Sequence, residues 1–181
     1  RCVDATVGKP VWEVDTQKEF HVVRNFFGVG STPLVWGDLL IVNIGGSPPG
    51  GPPDIYAARG NVQGNGTGVV AFDKRTGQVA WKASDELASY SSPIAAEIDG
   101  RPWCFVYARG GLVGLDPRTG AVDFEYPWRA PLLESAIAST PVVIGDEVFI
   151  SESYAVGSSL LKVSPGRFDV VWKDDRKTRD K

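Results

Sequence analysis

The chain has 181 residues, of which 43% are hydrophobic and 23% are charged, and such a composition is typical of a globular protein. The 19 basic and 22 acidic residues give a formal net charge of −3, which argues against a nucleic-acid-binding surface. The sequence has no stretch of about 18 apolar residues, so no transmembrane helix is predicted. Its first residues do not show the charged and then apolar pattern of a signal peptide. Because the chain starts at Arg1 and contains no Met, we expect it to be a segment of a longer reading frame.

The first predicted element is a short hairpin within residues 1–14. Asp4 opens its turn, because an Asp side chain accepts hydrogen bonds from nearby backbone N–H groups. Gly8 supplies the positive φ that a tight connection between two strands needs. Trp12 closes the second strand. The segment therefore predicts two strands rather than a complete sheet.

Three later segments repeat one order of elements. Each begins with the sequence Ser-x-Pro and continues with an apolar stretch, a polar turn and a second apolar stretch. The Pro residues of these sequences are Pro33, Pro93 and Pro141, and the turns lie at residues 37–38, 99–100 and 145–146. Short runs of β-branched and aromatic residues between turn residues predict pairs of strands rather than helices.

A second hairpin follows each of these pairs and repeats the turn of the N-terminal segment. The copies run from Asp4 through Gly8 to Trp12, from Asp73 through Thr76 and Gly77 to Trp81, from Asp116 through Thr119 and Gly120 to Phe124, and from Ser164 to Trp172. We expect the closing aromatic side chain to fill the gap between adjacent sheets, where an aromatic residue buries about 150–250 Å². Each repeat is then a sheet of four antiparallel strands.

The repeats divide the chain into a half unit at residues 1–14 and units at 31–83, 91–126 and 139–173. The turn residues Asp73 and Asp116 are 43 positions apart and Asp116 and Ser164 are 48 apart, which agrees with the roughly 40–50 residues of one propeller blade. The first complete unit is longer because residues 43–68 are rich in Gly and Pro, which predicts a surface loop inserted between its second and third strands. Residues 174–181 are predicted to form a solvated, charged tail.

The turn that runs from Asp73 to Trp81, repeated from Asp116, resembles the tryptophan-docking motif of the quinoprotein-like, or PQQ-like, β-propellers. Residues 28–33 and 109–114 are similar to stretches of bacterial PQQ-like repeat proteins of the planctomycete type. The resemblance implies an all-β fold, a partial quinoprotein-like β-propeller with three complete four-stranded antiparallel blades and an N-terminal half-blade. Such propellers usually have seven or eight blades, so about half a ring is expected.

The resembling family includes outer-membrane assembly scaffold lipoproteins and quinoprotein alcohol dehydrogenases. The resemblance favours a non-catalytic binding or scaffold module that is exported to the periplasm or cell envelope and contacts a protein partner or small ligand. The alternative is part of a dehydrogenase that depends on PQQ and Ca²⁺ and has its active residues mainly in other blades. No adjacent Cys pair occurs, and three Trp residues are assigned to packing, so no catalytic residue or cofactor is evident.

Candidate ligand-binding residues lie in the loops that enter the innermost strands and gather on one side of a propeller. Glu86 and Glu134 stand at the same position before their Pro residues, while Arg24 and Asn25 lie in the first such loop, close to His21. Hard cations prefer oxygen donors, so these side chains are candidates to hold a cation or a polar ligand. The alternative is that they are solvated loop residues or local braces.

Two further expectations concern the surfaces between blades. Cys2 and Cys104 fall in different blades, which predicts two unpaired, buried thiols rather than a disulfide. An open array of blades leaves apolar sheet faces uncovered at both ends. Because exposed apolar patches of that size favour association, we expect the chain to self-associate through these faces.

Overall fold

The computed structural model describes residues 1–174, and nearly all of their regular structure is β. A two-stranded sheet precedes three four-stranded sheets, and the strands of each sheet are antiparallel and neighbour one another in chain order. The predicted fold class, with three blades and a half-blade, is therefore confirmed. The predicted charged tail lies outside the described residues apart from Asp174.

The strands fall at the following bounds. The half-blade contains β1 (Cys2–Val3) and β2 (Pro10–Trp12). The first blade contains β3 (Leu34–Trp36), β4 (Leu39–Asn43), β5 (Val69–Asp73) and β6 (Val79–Ala83). The second contains β7 (Ile94–Ile98), β8 (Arg101–Tyr107), β9 (Gly111–Leu115) and β10 (Val122–Pro127). The third contains β11 (Val142–Ile144), β12 (Glu147–Glu152), β13 (Gly157–Ser164) and β14 (Arg167–Lys173).

This strand order separates the connections into two groups. Because the strands alternate in direction, the short turns within each strand pair lie at one end of the blades. The connections between blades and between the second and third strands of a blade lie at the other end, which we call the loop face. The loop face consists of residues 13–33, 44–68, 84–93, 108–110, 128–141 and 153–156.

The core forms between blades rather than within them. One row of cross-strand neighbours crosses the first blade and packs against buried side chains of the second blade; it consists of Leu34, Ile41, Ala71 and Trp81. The matching row of the second blade packs against the third and consists of Ile94, Phe105, Gly114 and Phe124. Each blade therefore depends on its neighbour to remove one apolar face from water.

A short helix, α1 (Thr16–Phe20), was not predicted from the sequence. Asp15 caps its N-terminus by accepting a hydrogen bond from the backbone N–H of Lys18, and His21 ends it with a φ of 54°. The helix places Phe20 against Phe72 at a ring distance of 6.0 Å. It thereby covers part of the first blade that the two-stranded half-blade leaves open.

The insertion between β4 and β5 differs from a simple surface loop. Its Ile55 is fully buried in a small cluster with Val23 and Leu87. Gly64 lies against the backbone of Asp85 so closely that a Cβ would clash with it. The insertion is therefore packed onto the neighbouring loops, and its glycines permit that close approach.

Both cysteines are free, as expected from their positions in different blades. Cys104 is fully buried in the second blade, and this burial raises the pKa of its thiol to about 12. Cys2 is only half-buried, which differs from the expectation of two buried thiols.

Candidate functional site

Arg109 lies at the centre of the loop face and joins several of its loops. Its guanidinium donates hydrogen bonds to Asn25 Oδ1 at 2.7 Å and to the carbonyl of Leu133 at 2.8 Å. Asn25 in turn donates through Nδ2 to the carbonyl of Ala88. Only 6% of Arg109 is exposed, and burial lowers the pKa of its guanidinium to about 10. These contacts make Asn25 and Arg109 a brace between four connections.

Glu86 forms a second brace on the same face. Its carboxylate accepts a hydrogen bond from the backbone N–H of Gly110 at 2.7 Å. Burial raises the pKa of Glu86, and the hydrogen bond from Gly110 opposes that rise. A Cβ on residue 110 would clash with the Glu86 carboxylate, so only glycine allows this approach.

Glu152 and Arg129 were not among the five candidates from the sequence, yet they complete this group of charges. Glu152 accepts a hydrogen bond from the backbone N–H of Ala130 at 2.8 Å, and Arg129 donates to the carbonyl of Leu132 at 3.0 Å. Burial raises the pKa of Glu152 and lowers that of Arg129. The group thus brings together charges of both signs, and each of them hydrogen-bonds with the backbone of a loop.

The other sequence candidates occupy separate positions. Arg24 is exposed and lies 3.8 Å from Asp54, in an ion pair. His21 ends α1, and its backbone carbonyl accepts hydrogen bonds from Ser47. Glu134 is half-buried and makes no hydrogen bond or ion pair with residues 1–174. Of the five candidates, Asn25 and Glu86 are drawn into the braces, and a ligand-binding role for the set stays a prediction.

The Ca²⁺ and PQQ of quinoprotein dehydrogenases require a suitable set of ligands. Within residues 1–174, no three His, Cys, Asp or Glu side chains come together in a group that could hold a metal ion. Glu86 and Glu152 are held by backbone N–H groups beside two arginines, which is a poor setting for a cation. The described residues therefore do not fit a Ca²⁺ site, and we derive no catalytic step through PQQ.

Depressions in the surface are shallow at this site. The one beside Arg109 has a volume of about 190 Å³, and its lining includes Glu86, Arg129, Gly60 and Val62. A larger depression of about 470 Å³ lies beside α1 and β6, away from the charged group. Pockets for small molecules usually enclose about 300–1,000 Å³ and are mostly apolar. The loop face therefore offers a surface for contact rather than a deep pocket.

A cluster of aromatic side chains is exposed on part of the loop face. Phe26 and Phe27 meet edge to face at 4.6 Å, and Tyr56 lies 6.4 Å from Phe26. The Tyr90 ring lies 5.8 Å from the Phe27 ring, and the Tyr90 hydroxyl accepts a hydrogen bond from the backbone N–H of Phe27 at 2.8 Å. Phe27 is 72% exposed and Phe26 is 51% exposed. We call these four residues the aromatic patch; they were not among the candidates from the sequence, and the adjacent Phe-Phe pair in a loop is the signal that could have found them.

The repeated turns lie at the opposite end of the blades and have one geometry. Asp73 Oδ1 accepts hydrogen bonds from the backbone N–H groups of Arg75 at 3.0 Å and Thr76 at 2.8 Å, and from the Thr76 hydroxyl at 2.9 Å. These donors lie two and three residues after Asp73. They hold the pKa of Asp73 below its usual value. Gly77 has a φ of 74°, as the turn requires.

Tryptophan side chains dock on these turns. Trp12 Nε1 donates to the carbonyl of Lys74 at 3.0 Å, and its ring lies against Gly77. Trp81 repeats this contact on the next blade by donating to the carbonyl of Pro117 at 3.1 Å. Its ring lies against Gly120. The half-blade, the first blade and the second blade are thus joined by the same contact.

The third blade is joined differently. Its last hairpin turns through Pro165 and Gly166 alone, and the backbone N–H of Gly166 donates to Asp123 of the second blade at 2.9 Å. Phe124 packs on Phe168 with ring centroids 5.2 Å apart. Because this two-residue turn lacks the Asp-initiated loop on which a tryptophan docks, the second and third blades are joined by the Phe124–Phe168 pair instead.

Comparisons with known proteins agree with this architecture at the level of the family. The sequence profile of the family described as outer membrane protein assembly factor BamB matches residues 1–179. No curated protein matches the chain. Within residues 1–174, no helix is long and apolar enough to cross a membrane.

Two solved structures are similar in part. BamB from Moraxella catarrhalis is 22% identical with a TM-score of 0.47, over 76% of this chain and 35% of that one. The quinohemoprotein alcohol dehydrogenase ADHIIG from Pseudomonas putida HK5 is 20% identical with a TM-score of 0.49, over 81% of this chain and 20% of that one. The chain thus spans about a third or less of the length of these structures.

Proposed function

The chain belongs to the outer membrane protein assembly factor BamB family, and from this premise we propose that it is part of a non-catalytic binding or scaffold β-propeller of the bacterial cell envelope. Its resemblance to the PQQ-like propellers is thereby confirmed as a family relationship. The role is carried by the loop face, which contacts a protein partner.

The observation that carries this proposal is that the charged side chains at the centre of the loop face are hydrogen-bonded to backbone, while aromatic side chains beside them are exposed. The charged side chains that chemistry would need are engaged with backbone groups, as Glu86 is with Gly110 and Glu152 is with Ala130. The large apolar side chains exposed on this face include the rings of Phe26, Phe27 and Tyr56. Aromatic residues are enriched in protein–protein interfaces, where they contribute much of the binding energy.

The hydrogen bonds of Asn25 hold the loop that carries the aromatic patch in a fixed position. Because Asn25 is fixed between Arg109 and Ala88, the adjacent Phe26 and Phe27 project from an anchored point of the loop. The hydrogen bond from Phe27 to Tyr90 fixes the next residue as well. A rigid aromatic surface loses little conformational entropy on binding, which favours affinity. Localisation in the periplasm or envelope follows from the same premise and is part of the proposal.

The rival proposal is part of a PQQ- and Ca²⁺-dependent dehydrogenase whose active residues lie mainly in other blades. The two proposals predict different ligands, namely a protein for the scaffold and a quinone with its metal for the dehydrogenase.

We would test the proposal with binding to soluble envelope proteins of the native host. The chain is immobilised and compared with the double variant Phe26→Ala/Phe27→Ala and with Val122→Ala, which removes an exposed side chain at the opposite end of a blade. The proposal predicts a discrete retained protein that the double variant loses and Val122→Ala keeps. Titration with PQQ and Ca²⁺ is the second arm.

Two results would contradict the proposal. Saturable binding of PQQ that requires Ca²⁺ would favour the dehydrogenase. Retention of the same proteins by the wild type and the double variant would show that the aromatic patch is not the contact surface.

A further inference from the structure

A carboxylate without a partner in the described part of the chain lies beside the aromatic patch. Glu134 occupies a turn in which the backbone N–H of Ser135 donates to the carbonyl of Leu132 at 3.2 Å. Its side chain makes no hydrogen bond or ion pair with residues 1–174, whereas Glu86 and Glu152 accept hydrogen bonds from backbone N–H groups. The charge of Glu134 is therefore available to a second molecule.

One buried arginine positions both the patch and this carboxylate. The guanidinium of Arg109 donates to Asn25 Oδ1 at 2.7 Å and to the carbonyl of Leu133 at 2.8 Å. Asn25 immediately precedes Phe26, and Leu133 immediately precedes Glu134. The two loops, which both connect strands of the described part, are thus held together at the residues before the patch and before the carboxylate.

Tyr56 connects the carboxylate to the rings of the patch. Its neighbour Ile55 belongs to the same apolar cluster as Leu133, and the Tyr56 ring lies 6.4 Å from the Phe26 ring. Partial burial raises the pKa of the Tyr56 hydroxyl, and the negative charge of Glu134 raises it further. Because exposed charges are screened beyond about 10 Å, this effect indicates that Glu134 lies at the edge of the patch.

Two cationic side chains also lie near the patch and bear on the charge of a partner. Arg24 is paired with Asp54 at 3.8 Å. Arg59 is exposed three residues after Tyr56 and favours a negative charge on a partner. The faces of aromatic rings, however, attract cations. The rings and Glu134 therefore share a preference for positive charge, which only Arg59 opposes.

We propose that the aromatic patch and Glu134 together bind a segment of the partner protein in which an arginine or lysine stands among apolar residues. The apolar residues cover the rings of Phe26 and Phe27. The cation lies over a ring of the patch, and its N–H groups donate to the Glu134 carboxylate. Removal of water by the apolar residues strengthens both contacts. This inference names the chemistry of the partner and so rests on the proposed function.

The first test measures fluorescence anisotropy with the 181-residue chain and three labelled peptides. The peptides have one length and the same leucines around a central arginine, glutamine or glutamate. The arginine peptide is expected to bind about 10-fold more tightly than the glutamine peptide, as one cation–π contact and one ion pair together provide. Equal or tighter binding of the glutamate peptide, or no saturable binding of the arginine peptide, would overturn the proposal.

The second test changes the carboxylate alone. Glu134→Gln keeps the size of the side chain and is expected to reduce the preference for the arginine peptide to less than about 2-fold. Glu134→Arg is expected to transfer the preference to the glutamate peptide. Glu97→Gln removes an exposed carboxylate from β7 and is expected to keep the wild-type preference. Circular dichroism verifies that each variant is folded, and an unchanged preference in Glu134→Gln would overturn the proposal.

A comparison of two variants separates this inference from the proposed function. Both are tested for retention of the protein that the wild type retains from the native envelope. The inference predicts that Glu134→Arg and Phe26→Ala/Phe27→Ala both lose it. Loss in the double variant with full retention by Glu134→Arg would leave the contact surface in place and overturn the inference. Retention by both variants would contradict the proposed function as well.

Discussion

Trp81 and Gly120 form the contact that joins the first blade to the second. The indole N–H of Trp81 donates to the carbonyl of Pro117 at 3.1 Å, and a Cβ on Gly120 would lie 2.5 Å from the Trp81 ring. Trp12 and Gly77 repeat the relationship one blade earlier. The glycine therefore serves two purposes, since it permits a φ of 75° and leaves room for the ring.

Substitution of this glycine is expected to cost more than backbone strain alone. Gly120→Ala adds the strain of a positive φ to a clash with the docked ring, and together these lower the free energy of unfolding by about 3 kcal/mol. Gly8→Ala has the same position in its turn but meets no ring, so its cost is about 1 kcal/mol. Urea denaturation of both variants measures the difference.

Gly8→Ala is the matched control for that comparison. Equal losses in the two variants would mean that strain dominates and that the docked tryptophan adds nothing. A loss confined to Gly120→Ala would mean that the ring is the greater constraint.

The Asn25 brace is expected to stabilise the loop face. Asn25→Ala removes one of the two acceptors of the buried Arg109 guanidinium, and hydrogen bonds to charged groups contribute about 2 kcal/mol. Arg24→Ala removes an exposed partner in an ion pair of 3.8 Å and is expected to cost less than about 0.5 kcal/mol. Thermal unfolding of the two neighbouring variants makes the comparison. A greater loss in Arg24→Ala would contradict the assignment.

Acid is expected to weaken the repeated turns. Hydrogen bonds from Thr76 lower the pKa of Asp73, and those from Arg118 lower the pKa of Asp116. The unfolded state therefore binds protons to these groups more readily than the folded state does. Their contribution to stability is complete above the usual pKa of an Asp, about 4, and is lost as the pH falls through the lower folded pKa.

Asp73→Asn isolates this contribution. Its unfolding temperature is expected to fall less steeply than that of the wild type between about pH 5 and pH 2, because the variant has no carboxylate to protonate in the turn. Unfolding curves at a series of pH values test this directly. Parallel curves would show that the turn carboxylate does not contribute to acid sensitivity.

The two thiols are expected to differ in reactivity. Cys104 is buried with a pKa of about 12, so its reactive thiolate is scarce and inaccessible in the folded chain. Cys2 is half-buried in the half-blade and is expected to react first. Labelling with a thiol reagent should therefore modify one cysteine in the native protein and two in denaturant. Fast native labelling of Cys104 would contradict the packing of the second blade.

Much of the fold was predictable because the turns repeat. An Asp followed by Thr and Gly specifies a hairpin locally, and a closing Trp specifies what the hairpin packs against, so Trp81 and Gly120 were identified without coordinates. The third blade shows the limit, since its Pro165-Gly166 turn replaces the Asp-initiated loop and Phe124 pairs with Phe168. That pairing depends on tertiary packing rather than on a local pattern.

The loop face was predicted less well. Asn25 and Glu86 were identified as candidates, but their role as braces depends on Arg109 and Gly110, which are distant in sequence. Long-range contacts of this kind leave no periodic signal in a single chain. The helix α1 was missed because five residues are too few to show a helical period.

The most direct test of the proposed contact surface is photo-crosslinking in the native envelope. A photoreactive phenylalanine analogue replaces Phe27 in the aromatic patch, and the same analogue at Val122 is the control. We predict one discrete crosslinked protein from position 27, lost when Phe26→Ala is added, and none from position 122. The same products from both positions, or none from position 27, would contradict the account.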